Sequence, residues 1–134
     1  MNLESLLYAK THEWTRVETG PDGRKIATVG LTAFALEALT DLVFIDLPPV
    51  GRTLARGERF GEVESVKAVS DLYSPVDGEV VAVNADVVGR LDKLGADPYD
   101  AGWLVKIRIT DESGLRGLMD YAAYRRQCEE ETKE

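Results

Sequence analysis

The chain has 134 residues, with 24 acidic side chains against 16 basic ones and a net charge of −8. That balance argues against nucleic acid and anionic membrane as partners, and it suits solubility and visits to proteins with basic docking faces. The length allows one domain with a real core but not two, and the single cysteine, Cys128, excludes an internal disulfide.

Residues 1–7 read as a lead-in, either a short helix or a disordered end. Residues 8–18 alternate as a strand anchored by Trp14, and Gly20-Pro21-Asp22-Gly23 is a dense turn signal. Residues 24–30 return with Ile26 and Val29, completing a hairpin. Thr32 caps a short helix over 32–39, with Phe34 and Leu39 directed at the core. Residues 42–47 form a buried strand ended by Pro48-Pro49-Val50-Gly51, and Arg56-Gly57-Glu58 is a turn.

Residues 79–84 are a strand, 86–94 a helical or irregular crossover, 97–102 a loop and 103–109 a strong strand. A helix begins at Asp111 or Ser113, with Leu115, Leu118 and Met119 on one face. Residues 121–131 continue helically with Tyr124 inward, and Glu129 to Glu131 fray into an acidic tail. The architecture is mostly β (α+β) and largely antiparallel, with flanking helices and a C-terminal helical segment, in one domain over 1–134. Asp46-Leu47-Pro48-Pro49-Val50-Gly51 faintly echoes Asp71-Leu72-Tyr73-Ser74-Pro75-Val76-Asp77-Gly78.

The chain turns on residues 60–78. Val63 alternates with Glu62 and Glu64, and Leu72 with Asp71 and Tyr73, so two half-buried strands meet at Val66-Lys67-Ala68-Val69. Tight hairpin turns favour Asn-Gly, Asp-Gly or paired glycines. Here two β-branched residues flank a lysine and an alanine, and a local rule broken without structural gain marks a candidate site. A lysine at such a tip can be a point charge, a Schiff-base amine or a site of acylation. Other chemistry is absent from the pattern. His12 has no partner at metal-ligand spacing, the glycines form no phosphate loop, and no apolar run reaches the ~20 residues of a membrane-spanning helix. No secretory or transit pattern opens the chain, and a reducing, cytoplasmic setting is expected.

The stretch Glu64-Ser65-Val66-Lys67-Ala68-Val69-Ser70-Asp71-Leu72-Tyr73-Ser74-Pro75-Val76-Asp77-Gly78-Glu79 closely resembles the lipoyl-attachment motif of glycine cleavage system H proteins. The resemblance extends from Tyr8 to about Tyr124. It implies a barrel-sandwich hybrid fold of the lipoyl-domain type and lipoate in amide linkage to Lys67. It implies a carrier, not an enzyme, serving glycine decarboxylase, aminomethyltransferase and dihydrolipoyl dehydrogenase, and loaded with its cofactor by a lipoate ligase or transferase. The dithiolane at the end of the arm carries the aminomethyl group; the protein supplies position and recognition. A monomer is expected.

Within this resemblance Ser65, Val66, Ala68 and Val69 shape the turn, and Glu64 and Asp71 serve ligase recognition or merely the solubility of the outer face. The loaded arm of the family folds into a cleft near the positions of Thr11, Glu13 and Asp71. Without the resemblance Glu13 and Asp71 read as solvated strand carboxylates. The chain departs from the family pattern at Ala33 and Leu36, where an acid and a glutamine are usual, and at Arg90-Leu91, where Asn-Pro is usual. Such positions suit a partner-facing or cleft-adjacent surface. They admit a similar carrier for another pathway, such as sulfur-compound oxidation, or an interaction module in which Lys67 stays free.

Overall fold

The computed structural model describes residues 2–132. Met1 of the expected lead-in, and Lys133 and Glu134 of the expected acidic tail, lie outside them. In chain order the elements are β1 (Leu7–Tyr8), β2 (Glu13–Thr19), β3 (Lys25–Leu31), α1 (Ala33–Leu39), β4 (Leu42–Asp46), β5 (Thr53–Leu54), β6 (Arg59–Ser65), β7 (Val69–Tyr73), β8 (Asp77–Val83), α2 (Ala85–Gly89), α3 (Leu91–Ala96), β9 (Val105–Asp111) and α4 (Tyr121–Thr132), with 3-10 turns at Leu3–Ser5 and Glu112–Gly117.

The strands form two antiparallel sheets. The larger has six strands in the order β1-β2-β3-β9-β8-β5, and the smaller has three in the order β4-β6-β7. Alternation along each strand sends one set of side chains inward. Val29, Val80 and Ile107 of the large sheet therefore meet Ile45, Val63 and Leu72 of the small one in one apolar cluster. Burying each such side chain contributes about 1.5–3 kcal/mol. Leu36 and Leu39 of α1, Val87 of α2 and Leu94 of α3 close the same cluster from the flank. This is the expected mostly-β sandwich with flanking helices.

A second cluster joins Leu6, Tyr8 and Trp14 to Tyr124 of α4. Trp14 is fully buried, and its indole N–H donates to the Pro98 carbonyl at 3.0 Å. Gly30 makes room for the ring, since a Cβ there would stand 2.5 Å from it.

Several local expectations give way to tertiary packing. The strand expected over 8–18 is two strands, because the chain turns back at 9–12, where His12 takes φ 79° and its N–H bonds the Ala9 carbonyl at 3.0 Å. Thr32 caps α1 as expected, its hydroxyl accepting from the Ala35 N–H at 3.3 Å. The residue of α1 that joins Leu39 in the core is Leu36, not Phe34, whose ring stacks on His12 instead. β4 is no buried strand but an edge, with only Ile45 buried. Leu115, Leu118 and Met119 share no helical face. They leave a 3-10 turn in three directions: Leu115 packs on the main core, Met119 on the second cluster, and Leu118 lines a cleft. Residues 129–131 do not fray; they belong to α4, and Glu131 contacts His12.

Candidate functional site: a fixed lysine tip and a neighbouring cleft

The turn between β6 and β7 has no glycine because Ser65 does the work of one. Its hydroxyl accepts from the Ala68 N–H at 3.0 Å and the Lys67 N–H at 3.3 Å, while its own N–H reaches the Ala68 carbonyl at 2.8 Å. A serine bonding the backbone two and three residues on imposes a turn that the tip residues would not choose. The Val66 N–H is also held, by the Asp41 carbonyl at 3.0 Å in the segment entering β4. Each backbone donor of the tip is thus occupied, and Lys67 stands exposed on a fixed base. Val66 and Val69 beside it are 74% and 59% exposed, so nothing covers the amine.

The pairing registers lay out the small sheet's outer face. Phe44 pairs with Glu64, which pairs with Val69; one step further from the tip, Asp46 pairs with Glu62, which pairs with Asp71. Directly paired residues share a face. Arg59 bridges Glu62 at 2.5 Å and Asp71 at 2.8 Å. The faint sequence echo of Asp46 in Asp71 corresponds to two carboxylates flanking Glu62 in one row.

Beyond this face, where β7 ends, opens a cleft of about 620 Å³. Its lining comes from four separated segments, with Lys10, Thr11 and Glu13 on one side, Arg56 and Gly57 on another, Tyr73 to Pro75 along the end of β7, and Leu118 opposite. Glu13 is fully buried. Its carboxylate accepts a hydrogen bond from the Thr11 hydroxyl and another from the Tyr73 N–H at 3.1 Å. Burial pushes its carboxyl up to about 7, against the opposing pull of those two donors. Near neutral pH it therefore exchanges between a neutral acid and a carboxylate.

Thr11 and Glu13 both line the cleft and are bonded to each other. Asp71 does not line the cleft; it sits on the outer face, held by Arg59 and reached by the Tyr73 hydroxyl at 3.4 Å. Tyr73, Arg56 and Lys10 were not singled out in the sequence. Tyr73 matters through its backbone N–H, which no residue pattern reports, and Arg56 announces itself only by standing before a turn glycine. From Val69 to Tyr73, β7 covers about 13 Å, which sets the scale of the separation between the lysine tip and the cleft.

Two of the departures from the family pattern are cleft-adjacent. Leu36 is buried in the main cluster and Leu91 packs against it, and both also line a second cleft of about 480 Å³ beside Asp41 and Leu42. The backbone N–H of Ala33 donates to the Tyr99 hydroxyl at 3.0 Å. Arg90 alone is solvent-facing, 3.7 Å from Asp92. No cluster of three His, Cys, Asp or Glu side chains suited to a metal occurs among the described residues, and none of their helices is long and apolar enough to cross a membrane.

Two antiparallel sheets that present an exposed lysine on a hydrogen-bonded hairpin tip, with a buried carboxylate beyond the end of β7, have the layout of a carrier domain. The model of the glycine cleavage H-protein family matches residues 6–131. The glycine cleavage system H protein of Rhodopirellula baltica is 56% identical over 126 residues, covering 94% of each chain. That of Rubrobacter xylanophilus is 48% identical over 128 residues, covering 96% of this chain and 95% of its own. The crystal structure of a glycine cleavage system H protein from Mycobacterium marinum superposes with a TM-score of 0.83 at 42% identity, covering 92% of this chain and 96% of the other. The chain belongs to the glycine cleavage H-protein family. It is accordingly a carrier and not an enzyme.

Proposed function

We propose that the chain is a single carrier domain that bears lipoate in amide linkage to Lys67 and serves glycine cleavage from that position, in the cytoplasm. The observation that carries this reading is the tip itself. Val66, Lys67 and Ala68 each have a bonded backbone N–H, and the lysine amine is uncovered. The residues fit a lipoyl arm in three respects: an exposed amine on a fixed turn, an open route along β7, and a cleft with a buried carboxylate at the end of that route. Lipoate held at Lys67 would supply a redox-active dithiolane able to carry an aminomethyl group between glycine decarboxylase and aminomethyltransferase, with dihydrolipoyl dehydrogenase as its oxidising partner.

The chain's own groups do the rest. Ser65 and Asp41 fix the backbone from which the Lys67 side chain extends, so a ligase or transferase meets one tip conformation with only that side chain left to place. Thr11 and the Tyr73 N–H orient the Glu13 carboxyl at the cleft wall. A cation in the cleft favours the carboxylate form of Glu13, which releases its proton to solvent and pairs with that charge. Ala9, Pro75 and Leu118 give the cleft apolar patches beside the cationic Lys10 and Arg56.

Intact mass after incubation with lipoate, ATP and a lipoate ligase tests the reading, with Lys67→Ala beside the parent chain. One lipoyl adduct, absent from the variant, is expected. An adduct retained in Lys67→Ala, or none on the parent chain while a control carrier is modified, overturns it.

A further inference from the structure

Seven large apolar side chains are exposed among the described residues, and four of them stand at the hairpin end of the small sheet: Val43 at 55%, Phe44 at 49%, Val66 at 74% and Val69 at 59%. Val43 and Phe44 are consecutive, yet both face outward, because the irregularity between Leu42 and Phe44 breaks the alternation of β4. An edge strand that shows such residues to water invites association unless it is used for it. The packing of the fold does not require them there. The inward work of β4 is done by Ile45.

The route from Lys67 to the cleft does not explain them either. That route follows β7, while β4 lies at the opposite edge of the sheet, with β6 between. Two strand spacings separate the two edges by about 10 Å.

The surroundings of Phe44 carry a definite charge. Glu64 lies beside it, and the next row is Asp46, Glu62 and Asp71. One guanidinium, that of Arg59, serves Glu62 and Asp71 together. The face therefore offers an apolar strip bordered by surplus carboxylate, and its complement is an apolar groove bordered by cations.

Reach decides which visitor fits. An enzyme acting on the far end of a lipoyl-lysine works about a dozen ångströms from the backbone, whereas the enzyme that forms the amide must bring a carbonyl carbon to Nζ, about 6 Å from Cα. The latter must bring its reacting carbon within one lysine side chain of the tip backbone, so it presses on both flanks of the hairpin. We propose that the outer face formed by Val43, Phe44 and their acidic border is the docking surface for the enzyme that acylates Lys67. This rests on Lys67 being the lipoylated residue. The step it serves uses an acyl adenylate: the deprotonated amine attacks the acyl carbon, a C–N bond forms, the bond from that carbon to the phosphate oxygen breaks, AMP leaves with the electron pair, and the nitrogen's surplus proton passes to solvent.

Steady-state lipoylation by a purified lipoate ligase, with lipoate and ATP, is measured for the parent chain, Phe44→Ser and Val43→Ser. Circular dichroism and unfolding midpoints check that each variant folds; since both side chains are half exposed, at least one variant is expected to hold its fold. The expected result is a KM for the carrier raised about tenfold in Phe44→Ser with kcat unchanged, and a parent KM that rises with salt. Folded variants lipoylated with the parent KM overturn the docking face alone. So does a defect confined to methylamine loading of the lipoylated protein by glycine decarboxylase. A parent chain that takes no lipoate at all overturns the assignment of Lys67 as well.

Discussion

The Tyr124 hydroxyl stands 2.7 Å from Nδ1 of His12 and 2.6 Å from the Thr32 hydroxyl. One atom of α4 thus holds the loop that carries Thr11 and Glu13 and, on its other side, the cap of α1. His12 sits at φ 79°, a conformation costly for a residue with a Cβ, and is kept there by its neighbours. Glu131 approaches its Nε2 at 3.1 Å, and the Gln127 side chain donates to the Lys10 carbonyl at 2.8 Å. The C-terminal helix is therefore a brace for one wall of the cleft.

Tyr124→Phe tests the brace. The ring keeps its stack on Tyr8, centroids 4.7 Å apart, and only the hydroxyl is lost. Thr32 and His12 lose a buried partner, which costs about 1–3 kcal/mol. Urea unfolding reads that loss, and hydrogen exchange is expected to quicken at residues 10–13 before it quickens in β6 or β7. Unchanged exchange in the loop counts against the brace.

Glu13 gives a dependence on pH. Its folded pKa, about 7, lies above the ordinary carboxylate value because burial disfavours the charge. The folded state therefore holds a proton that the unfolded chain has released. This contribution to stability is complete below about pH 4.5 and is lost as pH rises through about 7, amounting to roughly 3 kcal/mol by pH 8. Glu13→Gln stays neutral, with its amide able to serve both Thr11 and the Tyr73 N–H. The difference in unfolding free energy between the variant and the parent chain is expected to grow in the variant's favour between pH 5 and pH 8. A difference that stays flat over that range removes the raised pKa.

How much of this was legible in the sequence follows the range of the interactions. The hairpin, its lysine tip and the Thr32 cap rest on neighbours within a few residues, and the pattern of residues reports them. The break between β1 and β2 depends on a contact of His12 with Tyr124, 112 positions away, and no local signal announces it. The apolar run of β4 points to a buried strand, but an irregularity in pairing turns Val43 and Phe44 outward. Leu36 and Leu91, met as departures, are apolar because a core lies beneath them. The cleft's remaining lining, Lys10, Arg56, Tyr73 and Leu118, escaped for a related reason: it is contributed by segments that only the fold brings together.

Gly61 tests how closely the small sheet is drawn together. A Cβ at this position would lie 2.1 Å from the Asp46 carbonyl oxygen, a backbone atom that has nowhere to go without parting β4 from β6. Gly61→Ala is expected to destabilise the fold by about 3 kcal/mol or more, despite the smallness of the change. Thermal unfolding followed by circular dichroism checks it. A midpoint within a degree or two of the parent value would show that β4 can move away freely.

Ser65 separates the order of the tip from the stability of the whole. Ser65→Ala deletes the acceptor for the Lys67 and Ala68 N–H groups and leaves the strand pairing of β6 with β7 in place. Those donors lie at an exposed turn, so water replaces the hydroxyl and the net loss is about 0.5–1.5 kcal/mol. The turn, however, is left with Val66 and Ala68, which have no preference for it, and with the Asp41 carbonyl as its remaining side anchor. Backbone order parameters at 66–68 are expected to fall from about 0.85 toward 0.6, with no change in the strands. Lipoylation of the amine is expected to slow by about tenfold at low carrier concentration, because the tip backbone must then be met among several conformations rather than in one. Order parameters that hold while acylation slows would place the Ser65 hydroxyl in contact with the acylating enzyme instead of within the turn.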